Sequence, residues 1–295
     1  MKIVIMAHCQ GLAFANCVRA LLPDHDVYYL SIYNAKNDEG KEQFIEWISS
    51  CDLILTIPLG SEWGPLATEK LTIRFPGRVR RFPAIAFGGY HPDISYIYMP
   101  DGSFVGSPLG DYNSTIAAAA YAAALPAEDA LDLYNSLFFN RLGYFQEFER
   151  AKQWLLSICR SMGYDLSAEF DRWVRQGSFM HSVNHPKIIV SASIACETLR
   201  IANIPFDDTI NLHDIVPDDQ MNGPIWPVYP EISHRLGCSG SYIFKAPNHK
   251  NELWNYMDIC TFVHESYRMY ENIPKEVLLS TPLVRKAFDL MEATL

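Results

Sequence analysis

The sequence predicts an α/β protein: an N-terminal, mostly parallel open sheet with helices, followed by a largely helical C-terminal half packed over the sheet rim. Three observations carry this prediction. Strand-like and helix-like segments alternate β-α-β-α-β through the first sixty residues, the order that builds a parallel sheet. From about residue 112 helical periodicity takes over, with few β-branched runs. Turn residues punctuate the chain without forming an internal repeat or a low-complexity linker.

Residues 2–7 form a short, continuous apolar run, which reads as a buried strand. His8-Cys9-Gln10-Gly11 ends it, and Leu12, Phe14, Ala15, Val18 and Leu22 follow at helical spacing until Pro23. A second strand fits 27–32. A helix fits 39–49 (Phe44, Ile45, Trp47, Ile48), and a third strand 53–57. After an irregular stretch at 58–65, residues 84–87 read as another strand running into Gly88-Gly89-Tyr90-His91-Pro92-Asp93. Segments 95–99 and 104–105, separated by Pro100-Asp101-Gly102, read as a small hairpin. Helices are expected at 116–125, 127–138, 142–162, 166–174 and 187–203. A Pro-, Asp- and Gly-rich stretch covers 205–240, and helices follow at 249–270 and 275–293. The expected division is an α/β region, 1–110, holding the Cys9 site, and a mainly helical region, 111–295, closing it; the two can form one composite domain.

With 295 residues the chain has enough material for a substantial core. A formal charge of −10 excludes a general nucleic-acid binder, which needs a basic face. The seven cysteines are scattered, odd in number and without a C-x-x-C pair, as expected of free thiols in a reducing compartment. The opening apolar run is too short for a signal sequence or a membrane span. The expectation is a cytoplasmic protein with no integral membrane segment; its oligomeric state is not readable.

Cys9 is the sharpest chemical feature. It stands between a strand end and a helix start, where unpaired backbone N–H groups favour an anion. That setting can lower a thiol pKa and make Cys9 a nucleophile, with the amides of Gln10 and Gly11 as an oxyanion hole and Gly11 permitting a tight turn. The plainer reading is a small buried hydrophobe beside a glycine. If 84–87 lies parallel to the first strand, Tyr90 and His91 share a rim with Cys9, and Asp93 is close enough to orient the imidazole. In His181-Ser182-Val183-Asn184-His185-Pro186 the two histidines are four apart, but Pro186 disfavours the helix a metal pair would need. No metal is expected; a loop presenting His181, Asn184 and His185 as hydrogen-bonding groups fits better, and a helix cap from Asn184 is its competitor. Lys70, Arg74, Arg78, Arg80 and Arg81 concentrate positive charge that could hold cofactor phosphates, or simply face solvent. Asp111-Tyr112-Asn113-Ser114 offers an N-cap, or aims the Ser114 hydroxyl at a ligand.

In order, Cys9-Gln10-Gly11, Gly89 to Asp93, Asp111 to Ser114 and Asn184-His185-Pro186 resemble the WcbI-like family of capsular-polysaccharide biosynthesis proteins, regarded as acetyltransferases that bind coenzyme A. The resemblance covers about the first two-thirds of the chain; the last third adds Trp226 to Pro230 and a Gly-rich turn before Tyr242. One departure stands out: the family pattern has Asn before the Cys-Gln pair, and this chain has His8. The resemblance implies acyl transfer from acetyl-coenzyme A to a sugar hydroxyl. The catalytic set is then Cys9, His91, Asp93 and His185. The donor would be held by Gln10, Gly11, Tyr90, Arg74, Arg78, Ser114, His181 and Asn184. Two routes stay open: an acetyl-Cys9 intermediate, or direct transfer with His91 or His185 as base. Two other classes also stay open, a Cys–His thioesterase or esterase and a non-catalytic protein binding coenzyme A or a nucleotide sugar.

Overall fold

The structure, a computed structural model, describes residues 1–35, 38–247 and 255–293. Its chain gathers into two compact units. One comprises Met1–Ala86, Leu155–Phe179 and His185–Gln220; the other comprises Phe87–Trp154, Met180–Asn184 and Met221–Leu295. Both are discontinuous in sequence, whereas the change of composition near residue 110 suggested a continuous boundary.

The first unit is built on a four-stranded parallel sheet, β1 (Lys2–Ala7), β2 (Asp26–Ser31), β3 (Leu53–Thr56) and β4 (Val79–Arg81), in the order β2-β1-β3-β4. Ile3 to Ala7 of β1 are fully buried, as a central strand covered on both faces requires. Helices α1 (Gly11–Leu21), α2 (Asp38–Ser49) and α3 (Thr68–Arg74) make the crossovers. Ala13, Phe14, Cys17, Val18 and Leu21 give α1 its buried face, and Phe14 stacks on Phe82 with centroids 3.9 Å apart. The later helix Ile188–Ile201 packs against α1.

The sequence places the fourth strand at 84–87, and the structure corrects this. The strand is Val79–Arg81, hidden in the sequence as a run of arginines. Pro83 follows it, and 84–87 lies outside any strand. Its Ile85 instead pairs with the Gln10 side chain, which donates through Nε2 to the Ile85 carbonyl (2.7 Å) and accepts from the Ile85 amide through Oε1 (2.9 Å). A side-chain amide has the same donor–acceptor pair as a peptide, so Gln10 takes the place of a neighbouring strand.

In the second unit β5 (Ile94–Ser95) pairs antiparallel with β6 (Asn113–Ser114), which leads directly into α4 (Thr115–Ala122). The expected hairpin is present as a bridge between Tyr98 and Phe104. Helix α4, rich in alanine, is buried against helices Ile259–Tyr270 and Pro282–Glu292. Two expected helices are interrupted. The span 127–138 divides at Asn135, whose side chain caps the helix Ser136–Leu142, and 275–293 divides before Pro282, which begins a helix of its own. The helix expected at 249–270 begins at Ile259 after a short strand, Tyr256–Asp258; residues 249–254 lie outside the described residues. The stretch 205–240 contains the helices Leu212–Ile215 and Pro230–Leu236. No helix among the described residues is long and apolar enough to cross a membrane.

Candidate functional site

The strand order β2-β1-β3-β4 has a consequence for function. The chain leaves β1 toward β2 on one side and returns with β3 on the other, so the crossovers part above the C-terminal ends of β1 and β3. That crevice is where open α/β sheets bind ligands. His8 and Cys9 leave β1 there, and Ile57, Pro58 and Leu59 leave β3. A cleft of about 350 Å3 occupies the position, lined among others by His8, Tyr33, Trp63 and Pro83.

Cys9 and Cys260 are the exposed cysteines, and the Cys9 Sγ lies 3.7 Å from Nδ1 of His8. The turn that carries the pair is clamped by local and distant groups. The Gly11 amide donates to the His8 carbonyl (2.9 Å), and the Tyr29 hydroxyl donates to the same carbonyl (2.8 Å). The Gln220 side chain donates to the carbonyl of Cys9 (2.8 Å). Gly11 is required by packing: a Cβ there would stand 2.4 Å from Cε2 of Tyr29 and 2.7 Å from Cβ of Ala7. Its amide, expected in an oxyanion hole, is already committed to His8. The amides that face the Cys9 sulfur are those of Gln10 and of Cys9 itself.

The electrostatics also differ from expectation. Although part of Cys9 reaches solvent, packing around its sulfur desolvates it and pushes the thiol up from its ordinary value, more strongly than the two amides pull it down. Burial likewise holds His8 below the usual histidine range. The resting pair near neutral pH is therefore a thiol beside a neutral imidazole, with the imidazole able to accept a proton.

The expected phosphate grip at Arg74 and Arg78 falls at the wrong edge of the sheet. Arg78 precedes β4, and its Nη1 donates to the carbonyls of Ser49 (3.0 Å) and Cys51 (2.7 Å), residues that precede β3. Arg74 closes α3, which runs back from the C-terminal to the N-terminal edge, and both guanidiniums lie over the Phe75 ring. They brace the N-terminal edge, opposite the cleft. His185, half-buried, belongs to the first unit, and its neighbour Pro186 lines a small crevice together with Gln10.

The remaining predicted residues belong to the second unit. Tyr90 and His91 are buried in a tight turn, with the His91 amide donating to the Gly88 carbonyl. Gly89 is forced there, because a Cβ would meet the Phe87 ring at 2.6 Å and Cα of Phe148 at 2.8 Å. Asp93 is fully buried and acts as a hub. Its Oδ1 accepts from the Tyr144 hydroxyl (2.8 Å) and the Ile116 amide (3.1 Å); its Oδ2 accepts from Ser114 (2.5 Å) and Tyr229 (2.8 Å). Four donors fill the acceptor positions of a carboxylate, so orienting an imidazole is not the task this geometry gives it. Burial raises its pKa to about 6, with those four donors pulling the other way. Ser114 caps α4 by accepting from the Ala117 amide. His181 is buried on a strand and its carbonyl accepts from the Trp226 amide, while Asn184 accepts from the Tyr112 hydroxyl rather than capping a helix.

Sequence reading missed Tyr29 and Gln220, which reach the turn from elsewhere in the chain, and treated His8 only as a departure from a pattern. Tyr29 has a signal in hindsight: in a parallel sheet with β2 beside β1, a tyrosine near the end of β2 is within reach of the turn after β1.

No curated protein matches the chain. Among solved structures the fold is similar to that of WcbI, described as a novel polysaccharide biosynthesis enzyme, in its native form without a disulfide bond between coenzyme A and one of its cysteines. The TM-score is 0.68 over 98% of each chain at 15% sequence identity, a likeness of fold. The sequence pattern of the family "Polysaccharide biosynthesis enzyme WcbI" matches residues 2–206, and the chain is therefore a member of the WcbI family of polysaccharide biosynthesis enzymes.

Proposed function

We propose that this chain moves an acetyl group from acetyl-coenzyme A to a hydroxyl of a saccharide, with Cys9 as the acyl carrier and His8 as its base. One observation carries the proposal: a thiol and a neutral imidazole, 3.7 Å apart, stand where an open parallel sheet receives its ligand. Family membership and the coenzyme A named with the similar structure support the choice of chemistry.

The Cys9 proton passes to Nδ1 of His8 as the sulfur attacks the thioester carbonyl. The C–S bond to coenzyme A breaks, its sulfur takes the proton back from the imidazolium, and acetyl-Cys9 remains. A saccharide hydroxyl then attacks that carbonyl while a base removes its proton; the C–S bond breaks, the acetyl ester leaves, and the proton on the base returns to the Cys9 thiolate, restoring the thiol. His185 is put forward as this second base, being carried by the same unit as Cys9.

Intact-mass analysis after mixing with acetyl-coenzyme A tests the first half. The wild type should gain one acetyl group, Cys9→Ser none, and His8→Ala should acetylate about 10² to 10⁴ times more slowly. Turnover surviving in Cys9→Ser would refute the covalent route in favour of direct transfer. Coenzyme A released equally fast with and without saccharide would identify a hydrolase instead. Loss of the second step alone in His185→Ala would support His185 as the second base, and an unchanged second step would refute it.

A further inference from the structure

We infer that the groove from His8 past Leu59 to Arg81 is the acceptor subsite, and that it takes an anionic saccharide chain several units long rather than a single nucleotide-linked sugar. The inference rests on the acyl-transfer reading for the role of the groove, but its residues argue for the ligand independently.

Two clefts of the first unit share Pro58, Leu59 and Met162 in their walls and are therefore adjacent. The first, of about 350 Å3, has in its wall His8, whose Nδ1 lies 3.7 Å from the Cys9 sulfur. Tyr33 and Trp63 also line it, and Tyr33 is 54% exposed, a large apolar area left facing solvent. Flat rings in an open wall suit the C–H face of a pyranose, whose hydroxyls then remain in water. Pro58 and Pro83 in the same cleft carry no N–H, so the face offered there is apolar.

The second cleft is larger, about 780 Å3, and its character is different. Arg80 and Arg81 line it, with Glu69 as the charged group they are set against. Arg80 donates through Nη1 to the carbonyls of Gly77 (3.0 Å) and Val79 (2.9 Å), which fixes its guanidinium. The Arg81 side chain is exposed. The exposed Arg81 puts a positive group on the wall of this cleft in a chain whose formal charge is −10, a local exception that favours negative groups on a ligand. A single sugar held beside His8 would occupy the first cleft only. A chain lying along both would stack one unit on Tyr33 and Trp63 and bring carboxylate or phosphate groups of later units to Arg80 and Arg81.

Titration calorimetry and saturation-transfer NMR on the whole protein test this without requiring turnover. The probes are uronic-acid di-, tetra- and hexasaccharides, phosphodiester-linked oligosaccharides, neutral oligosaccharides of equal length, and coenzyme A. Affinity should rise with length for the anionic chains and fall with added salt, and whichever anionic series binds names the anion. Trp63→Ala should weaken every saccharide about tenfold. Arg81→Gln should remove the preference for anionic over neutral chains while leaving neutral chains unchanged. Trp63→Phe, which keeps a ring, should retain most of the affinity and guards against a misfolded Trp63→Ala. Length-independent binding, indifference to Trp63, or displacement of the oligosaccharides by coenzyme A with the same Arg81 dependence would overturn the inference. The last would give the groove to the acyl donor. Saccharide binding without acetyl transfer would refute the proposed function and leave the groove standing.

Discussion

Replacing Gly11 by alanine tests whether packing, rather than turn conformation, explains the glycine after Cys9-Gln10. At the start of a helix, alanine is ordinarily the better residue by roughly 0.5–1 kcal/mol. Here its Cβ would stand 2.4 Å from Cε2 of Tyr29 and 2.7 Å from Cβ of Ala7, where ordinary contacts begin at 3.4 Å. Ala7 lies in a fully buried strand and has nowhere to go, and Tyr29 is tethered through its hydroxyl to the His8 carbonyl. Overpacking of this kind costs roughly 1–3 kcal/mol. The balance is a net loss of about 1–2 kcal/mol, which lowers the Tm by several degrees in a chain of this size. Thermal and urea unfolding of Gly11→Ala would measure it. Tyr29→Leu removes Cε2 and should recover part of the loss in the double variant; Tyr29→Phe keeps the ring and should recover none. A Gly11→Ala protein as stable as the wild type, or equal rescue by both Tyr29 variants, would refute the steric account.

Asp93 supplies a pH test. Its folded pKa is raised to about 6, so between about pH 4 and 6 the native state holds a proton that the unfolded state has lost, and stability falls as pH rises through that window. The difference between wild type and Asp93→Asn, taken by urea unfolding at each pH, should shift by up to about 3 kcal/mol across it, and a flat difference would contradict the burial argument. Alkylation of Cys9 should be slow near neutral pH and accelerate only on the alkaline side of the ordinary thiol range; rapid labelling at pH 7 would show that the amides outweigh burial. Gln220→Ala should lose about 1 kcal/mol of stability through the Cys9 carbonyl bond, and a larger relative loss of acetylation rate, read by intact mass, if that bond positions the thiol.

The first three strands were legible because apolar runs of strand length alternate with amphipathic helices, and the parallel sheet followed from that order. The fourth was not, because Val79-Arg80-Arg81 reads as solvent-facing charge while the apolar segment after Pro83 reads as a strand. Local pattern cannot show that Gln10 already occupies the hydrogen-bonding groups of Ile85. Cys9 was legible from its place between strand and helix. Its surroundings were less so: the geometry that raises the thiol pKa, commits the Gly11 amide and brings Tyr29 and Gln220 to the turn is tertiary. Asp93 shows the same limit, since its four donors lie 21 to 136 residues away.

The clamps on the Cys9 turn also bear on how the site comes into being. Gln10 must meet Ile85, 75 residues later, and the Cys9 carbonyl must meet Gln220, 211 residues later. Contacts of such separation form only after the intervening chain has closed its loops, and during synthesis only after residue 220 has been made. Cys9 leaves the ribosome 211 residues before Gln220, the side-chain partner of its carbonyl. A nascent or truncated chain therefore carries the thiol without the finished turn. Its cysteine would titrate as an ordinary solvated side chain, so the onset of distinctive Cys9 chemistry in a series of lengthening chains would report the completion of folding.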